Sequence, residues 1–403
     1  MSTSTARRWA LRGTATAVAV VVAAGTIAAA HTIGTSETPG HPAGRTVTPV
    51  PAAAERVCAG SALRLSDDAG NDATRASAVG SPEIASATTG GTVERTQLEG
   101  SSTGSSDPTL LTAPAGDTAP QVAGSSVQSV SDGDLVGMGA ASCDDPSQST
   151  WLVGGSTETG RTSLVTLANP TDVNATVDLA IADAEGTVSA PGTTGIVVAP
   201  NSQKVVPLSG FVTDQGATVV HVTSTGGQIV AHMQETVVRT LTPRWVRHRL
   251  GRSRSRAHAG HPGCRARRRR GGRSVARTPR TRHPRSGSTC RGDRAARVTL
   301  GITTADGGGT TVDATAEPGI VTDVPLDDFP DGRYSFTITS TVPIVAAART
   351  TTPTEDGRTD LGWFASAEPL GASTVTAVAP RFRCQAQPRQ PHAGGRDRHD
   401  RVR

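Results

Sequence analysis

The chain has 403 residues, 35% hydrophobic and only 2% aromatic, which is length for two or three domains but few large side chains to fill thick cores. Its formal net charge of +5 hides a split: residues 244–297 hold 19 Arg against one acid, Asp293, and residues 381–403 hold seven Arg against Asp397 and Asp400, leaving 14 basic and 32 acidic residues elsewhere. The acidic body excludes a uniformly basic nucleic-acid binder, and Lys204, the sole lysine, points to a GC-rich genome, because Arg codons are GC-rich and Lys codons are not.

Residues 1–30 read as a signal peptide or membrane anchor. Arg7, Arg8 and Arg12 precede an apolar Ala/Val run of about 18 residues that ends in small residues at "IAAAH". Charge on that side keeps the N-terminus in the cytoplasm and sends the rest outward. Cleavage and retention both stay open. Residues 31–55 are rich in Pro, Thr and Ala and read as an extended linker. Residues 56–150 form a β-rich N-terminal region of short apolar runs between Gly/Ser/Asp stretches, bracketed by Cys58 and Cys143. In an exported protein these two are the candidate disulfide, against the alternative of two free thiols.

Residues 151–242 carry the clearest pattern. Two β-rich runs flank the turn Asn169-Pro170-Thr171-Asp172, and others are separated by Asn201-Ser202 and Gly226-Gly227. Apolar residues alternate at Val177, Leu179 and Ile181, and again at Val220 and Val222 and at Ile229 and Ala231. Period two with short, even spacing predicts an antiparallel sandwich. Residues 296–380 repeat the theme: Val222-Thr-Ser-Thr225 aligns with Ile338-Thr-Ser-Thr341, and Ile229-Val-Ala231 with Ile344-Val-Ala346. The fold class predicted is all-β: tandem immunoglobulin-like antiparallel β-sandwich modules after an N-terminal transmembrane or signal helix.

Between the modules, residues 243–295 are Arg-rich and read as unstructured, as does the tail 381–403. Arg267–Arg270 would bind phosphates by charge, but only Trp245 lies near to stack on a base, and Pro and Gly break any helical frame. A slipped reading frame fits better than a basic arm or a solvated linker. Residues 257–263 admit codons whose frame one base later reads Thr-Leu-Val-Ile-Pro. Residues 384–399 admit codons whose shifted frame reads "ARLSLVNPTPAAVTVT", close to "SLVTLANPTDVNATVDL" at 163–179. The tripeptide Arg291-Gly292-Asp293 and the thiols Cys264, Cys290 and Cys384 fall in these segments and are set aside as ligands or disulfide partners.

No nucleophile elbow, Walker loop, zinc-protease helix or paired C-x-x-C is present. His232 and Glu235 lie three apart on a predicted strand, hence on opposite faces, and His221 is expected on the solvated face. Asp172, Asp178, Asp183 and Glu185 sit near turns without a calcium-ligand ladder. The sequence therefore predicts no catalytic residues, no cofactor and no metal site.

"WLVGGSTETGRTSLVTLANPTDVNATVDLAI", "PGTTGIVVAPNSQKVVPLSG", "VVHVTSTGGQIVAHMQETVVR" and, later, "LGWFASAEPLG" at 361–371 resemble an actinobacterial family of exported proteins known as a domain of unknown function. The resemblance covers about 57–242 and 296–380, and the chain departs from it at Arg244 and near Arg381. It implies a β-rich envelope protein and supplies no catalytic residues. The expected function is a non-enzymatic cell-envelope scaffold or adaptor, membrane-anchored or secreted, with envelope protein or glycan as partner and no nucleic acid. A glycan-binding module is the alternative, with Trp151, Trp363, Phe364 and Tyr334 as candidate stacking residues. Binding of an anionic polymer or nucleic acid through 244–297 is the second alternative, should that segment be genuine.

Overall fold

The computed structural model describes residues 20–22, 24, 51–65, 76–100, 107–132, 135–238, 246–250, 259–260, 285–290, 294–304, 307–326, 332–353, 359–367 and 373–379. It divides into two units, Met1–Val50 and Pro51–Arg403. In the first, residues 20–22 and 24 are helical, and no helix among the described residues is long and apolar enough to cross a membrane. The second unit is built of antiparallel sheets.

Its N-terminal part has eight strands: β1 (Ala54–Cys58), β2 (Ala62–Leu65), β3 (Ala76–Val79), β4 (Glu83–Thr88), β5 (Glu94–Gln97), β6 (Thr109–Ala113), β7 (Val122–Asp132) and β8 (Leu135–Ser142). They form two three-stranded sheets, β1-β6-β5 and β4-β7-β8, and a β2-β3 hairpin. Strand β1 begins inside the stretch read as linker. Cys58 and Cys143 are bonded to each other across 85 residues of chain, within a cluster of Leu111, Ala113 and Val122.

The first sandwich comprises β9 (Ser149–Val153), β10 (Arg161–Asn169), β11 (Ala175–Ala182), β12 (Thr187–Val188), β13 (Ile196–Val198), β14 (Ser202–Pro207), β15 (Val219–Gly226), β16 (Val230–Val237) and β17 (Val246–Leu250). One sheet has the order β14-β10-β16-β17; the other runs β12-β11-β15-β9, with β13 also beside β11. The expected alternation holds, with Val177, Leu179 and Ile181 inward. They join Leu152, Val165, Leu167, Val220, Val222, Ile229, Ala231 and Met233 in one continuous core.

The second sandwich comprises β18 (Ala259–Gly260), β19 (Arg285–Cys290), β20 (Ala296–Thr304), β21 (Gly309–Ala316), β22 (Thr322–Pro325), β23 (Tyr334–Ser340), β24 (Ile344–Pro353) and β25 (Thr359–Ala365). Its sheets are β22-β19-β24-β25 and β21-β20-β23-β18. Strand for strand this is the order of the first sandwich, so the tandem repeat read from short echoes is a repeat of topology. Both sandwiches differ from the immunoglobulin constant arrangement of ABED against CFG, so that likeness is one of architecture.

One expectation needs correction. The segment 243–295, read as unstructured, supplies β17, β18 and β19, and β17 and β19 pair inside sheets. A strand needs only backbone donors and acceptors aligned with its neighbours, and composition gave no sign of that. The first sandwich accordingly runs from Ser149 to Leu250 and the second from Ala259 to Ala365. Arg267–Arg270, Arg291–Asp293 and residues 381–403 lie outside the described residues.

Candidate functional site: the joints between the sandwiches

Strand β16 carries the polar residues that join the three parts, because its side chains alternate between two faces. Gln234 lies on the face away from the core and is buried. Its Oε1 accepts from the Leu63 amide at 2.8 Å and its Nε2 donates to the Leu63 carbonyl at 2.6 Å. The β2 strand is thereby held by an amide that imitates a neighbouring backbone. On the other side of the hairpin Gln128 does the same, accepting from the Ala62 amide and donating to the Val79 carbonyl. Around this clamp Val57, Leu98 and Leu110 pack on Ala168 and Val230, and Glu99 pairs its backbone with the rim of β14, donating to Asn201 and accepting from Gln203.

Glu235, next along β16, faces the other way. It is 3% exposed. Its Oε1 accepts from Arg161 Nη1 at 3.0 Å, and its Oε2 accepts from the indole Nε1 of Trp363, on β25 of the second sandwich, at 2.6 Å. Arg161 also bridges Glu158 at 3.1 Å. The Arg349 guanidinium lies 5.5 Å from the Trp363 ring centroid, within cation–π range. Val153, Ala217, Val219 and Val237 of the first sandwich meet Val321, Val345, Ala347, Leu361 and Trp363 of the second around this network. A carboxylate removed from water is tolerable when its oxygens are hydrogen-bonded, and here the two donors come from two sandwiches. This is a joint with its polar groups engaged, not an open site.

The residues singled out by sequence are placed as follows. His232 is 1% exposed and shares the Gln234 face, while Glu235 lies opposite, as the strand period requires. His221 corrects the expectation of a solvated position: it is half-buried, its ring stacked on Trp151 with centroids 4.0 Å apart, its Nε2 2.9 Å from Ser149 Oγ. Asp172 accepts from Asn201 Nδ2 of a second loop, Asp178, on β11, accepts from the Gly195 amide, and Asp183 accepts from the Glu185 and Gly186 amides within its own turn. Glu185 is exposed. Among the described residues no cluster of three or more His, Cys, Asp or Glu could hold a metal.

Of the four aromatic candidates, Trp363 is spent in the joint and Tyr334 packs with Leu300, Ile302 and Leu326. Phe364 is 44% exposed, and Trp151 is half-buried beside His221. Sequence reasoning missed Gln234, Gln128 and Arg161. The available sign was a run of polar residues, Gln234-Glu235-Thr236, inside an otherwise apolar strand.

These features define a class: disulfide-bearing tandem β-sandwiches joined by buried side chains. The chain belongs to a family of unknown function, DUF5719, whose profile matches residues 99–384. No curated protein and no solved structure matches it.

Proposed function

We propose that the protein is a non-enzymatic scaffold of the cell envelope, in which the two sandwiches and the N-terminal part form one rigid support for other envelope components. The observation that carries this reading is the joint of Arg161, Glu235 and Trp363. Its side chains are satisfied by one another, so its chemistry is spent on holding modules together. The Cys58–Cys143 bond supports an oxidising compartment outside the cytoplasm, as does the charged and apolar N-terminus. The test is thiol labelling in intact cells followed by fractionation. The protein is expected in the envelope or medium with Cys58 and Cys143 resistant to alkylation until reduced. Recovery in the cytosol with both thiols labelled would overturn the reading.

Glycan binding is a second reading, favoured by the half-buried Trp151–His221 stack with exposed Ser149 and Asp178 nearby on the same sheet. Titration with wall polysaccharide should then change tryptophan fluorescence in the native chain and not in Trp151→Ala.

A further inference from the structure

The strands β9, β15 and β11 present the outer face of their sheet in rows fixed by register. The first row, Val153, Val219 and Ala182, packs against the second sandwich. The next holds Trp151, His221 and Ala180, and the third Ser149, Thr223 and Asp178. Neighbours within a row stand about 5 Å apart across the strands, and successive rows about 7 Å apart along them. The second and third rows thus run out from the margin of the joint. Ser149, Asp178 and Ala180 are exposed there, and Trp151, His221 and Thr223 half-buried.

These side chains differ in height. Trp151 and His221 stand stacked, their rings 7° from parallel with centroids 4.0 Å apart, while Ala180 next to them offers only a methyl. The step makes a corner, with His221 as its wall, Ala180 as its floor, and Thr223 and Asp178 along its polar side. His221 Nε2 lies 2.9 Å from Ser149 Oγ, and Asp178 Oδ1 accepts from the Gly195 amide at 2.8 Å. A ligand therefore meets groups already held in place, and little rotamer freedom is lost on binding. In the second sandwich the registers put Gly301 and Thr337 at the places of Ala180 and His221, so a threonine stands where the wall would be.

Charge selects the ligand. The five strands of this sheet contain no Lys or Arg, and Asp178 is their one acid. Arg161 and Lys204 belong to the other sheet. A phosphate- or carboxylate-bearing polymer would find a like charge here and no cation to answer it. An aromatic wall beside a hydroxyl and a carboxylate suits a ring with an apolar face and a rim of hydroxyls, which donate to the carboxylate.

We propose that this corner binds one uncharged sugar ring of an envelope polysaccharide, its apolar face against His221 and over Ala180 and its hydroxyls donating to Asp178. The proposal rests on the glycan reading of the Trp151–His221 stack and narrows it to neutral glycans and to the side of the stack that faces β11.

The test titrates the full chain, by calorimetry, with carbohydrate from the envelope of the producing cells, split by anion exchange into a neutral and an acidic pool. Saturable binding of the neutral pool alone is expected. Ala180→Leu fills the corner from an exposed position and should lose that binding. Asp178→Asn keeps an oxygen for the Gly195 amide and should weaken binding about tenfold. Both variants should keep the native circular dichroism. Binding of the acidic pool overturns the neutral class. Neutral binding unchanged in both variants overturns the corner, and the glycan reading then stands if Trp151→Ala loses that binding. Failure of both pools to bind overturns the corner and the glycan reading together.

Discussion

Behind the turn at the end of β10, Asn169 is fully buried. Its Nδ2 donates to the carbonyls of Val173, Val198 and Ala199, and its Oδ1 accepts from the Thr171 amide and hydroxyl. The sequence shows Asn-Pro-Thr-Asp as a turn; it does not show that the amide reaches a second loop about thirty residues on, because those carbonyls are adjacent only in the fold. Replacing Asn169 by Ala leaves buried carbonyls without donors and should cost about 3 kcal/mol, read by chemical denaturation. Asn169→Asp should cost at least as much, since a carboxylate cannot donate to them. Trp363→Phe keeps an aromatic side chain, though a smaller one, and removes the donor to Glu235, with an expected loss of about 2 kcal/mol. A double-mutant cycle with Glu235→Gln should show coupling between the sandwiches; independent, additive losses would contradict the joint.

Among the strands, legibility followed periodicity. Val177, Leu179 and Ile181 alternate in sequence and alternate in burial, because a half-buried strand must sort its side chains between core and solvent. Pairing was less legible. Short turns between β10 and β11 and between β15 and β16 look like hairpins, yet each carries the chain from one sheet to the other. The β19 strand was illegible altogether, since its sequence has no apolar alternation and its place is fixed by the ladders of β22 and β24. The disulfide, in contrast, was narrowed by elimination to Cys58 and Cys143. It closes a long loop between β1 and the residue after β8. Cys58→Ser with Cys143→Ser should therefore destabilise the N-terminal part by up to about 4 kcal/mol, while the first sandwich, with its own continuous core, should keep its native circular dichroism.

The whole molecule carries two sandwiches of one topology, the second completed by β19 from the Arg-rich segment. The joints tie the parts to one another, with Gln234 and Glu235 bonded on opposite sides of β16. The second sandwich depends on the register of β19, and a natural cysteine reports on it. Cys290 is the register partner of Ile344, and directly opposed residues of an antiparallel pair lie within disulfide reach. The measurement is oxidation of the Ile344→Cys chain followed by disulfide mapping. The account predicts a bond between Cys290 and the introduced thiol, and none when Val345→Cys is made instead. Failure to form that bond, or pairing of the introduced thiol with Cys264 or Cys384, would contradict it.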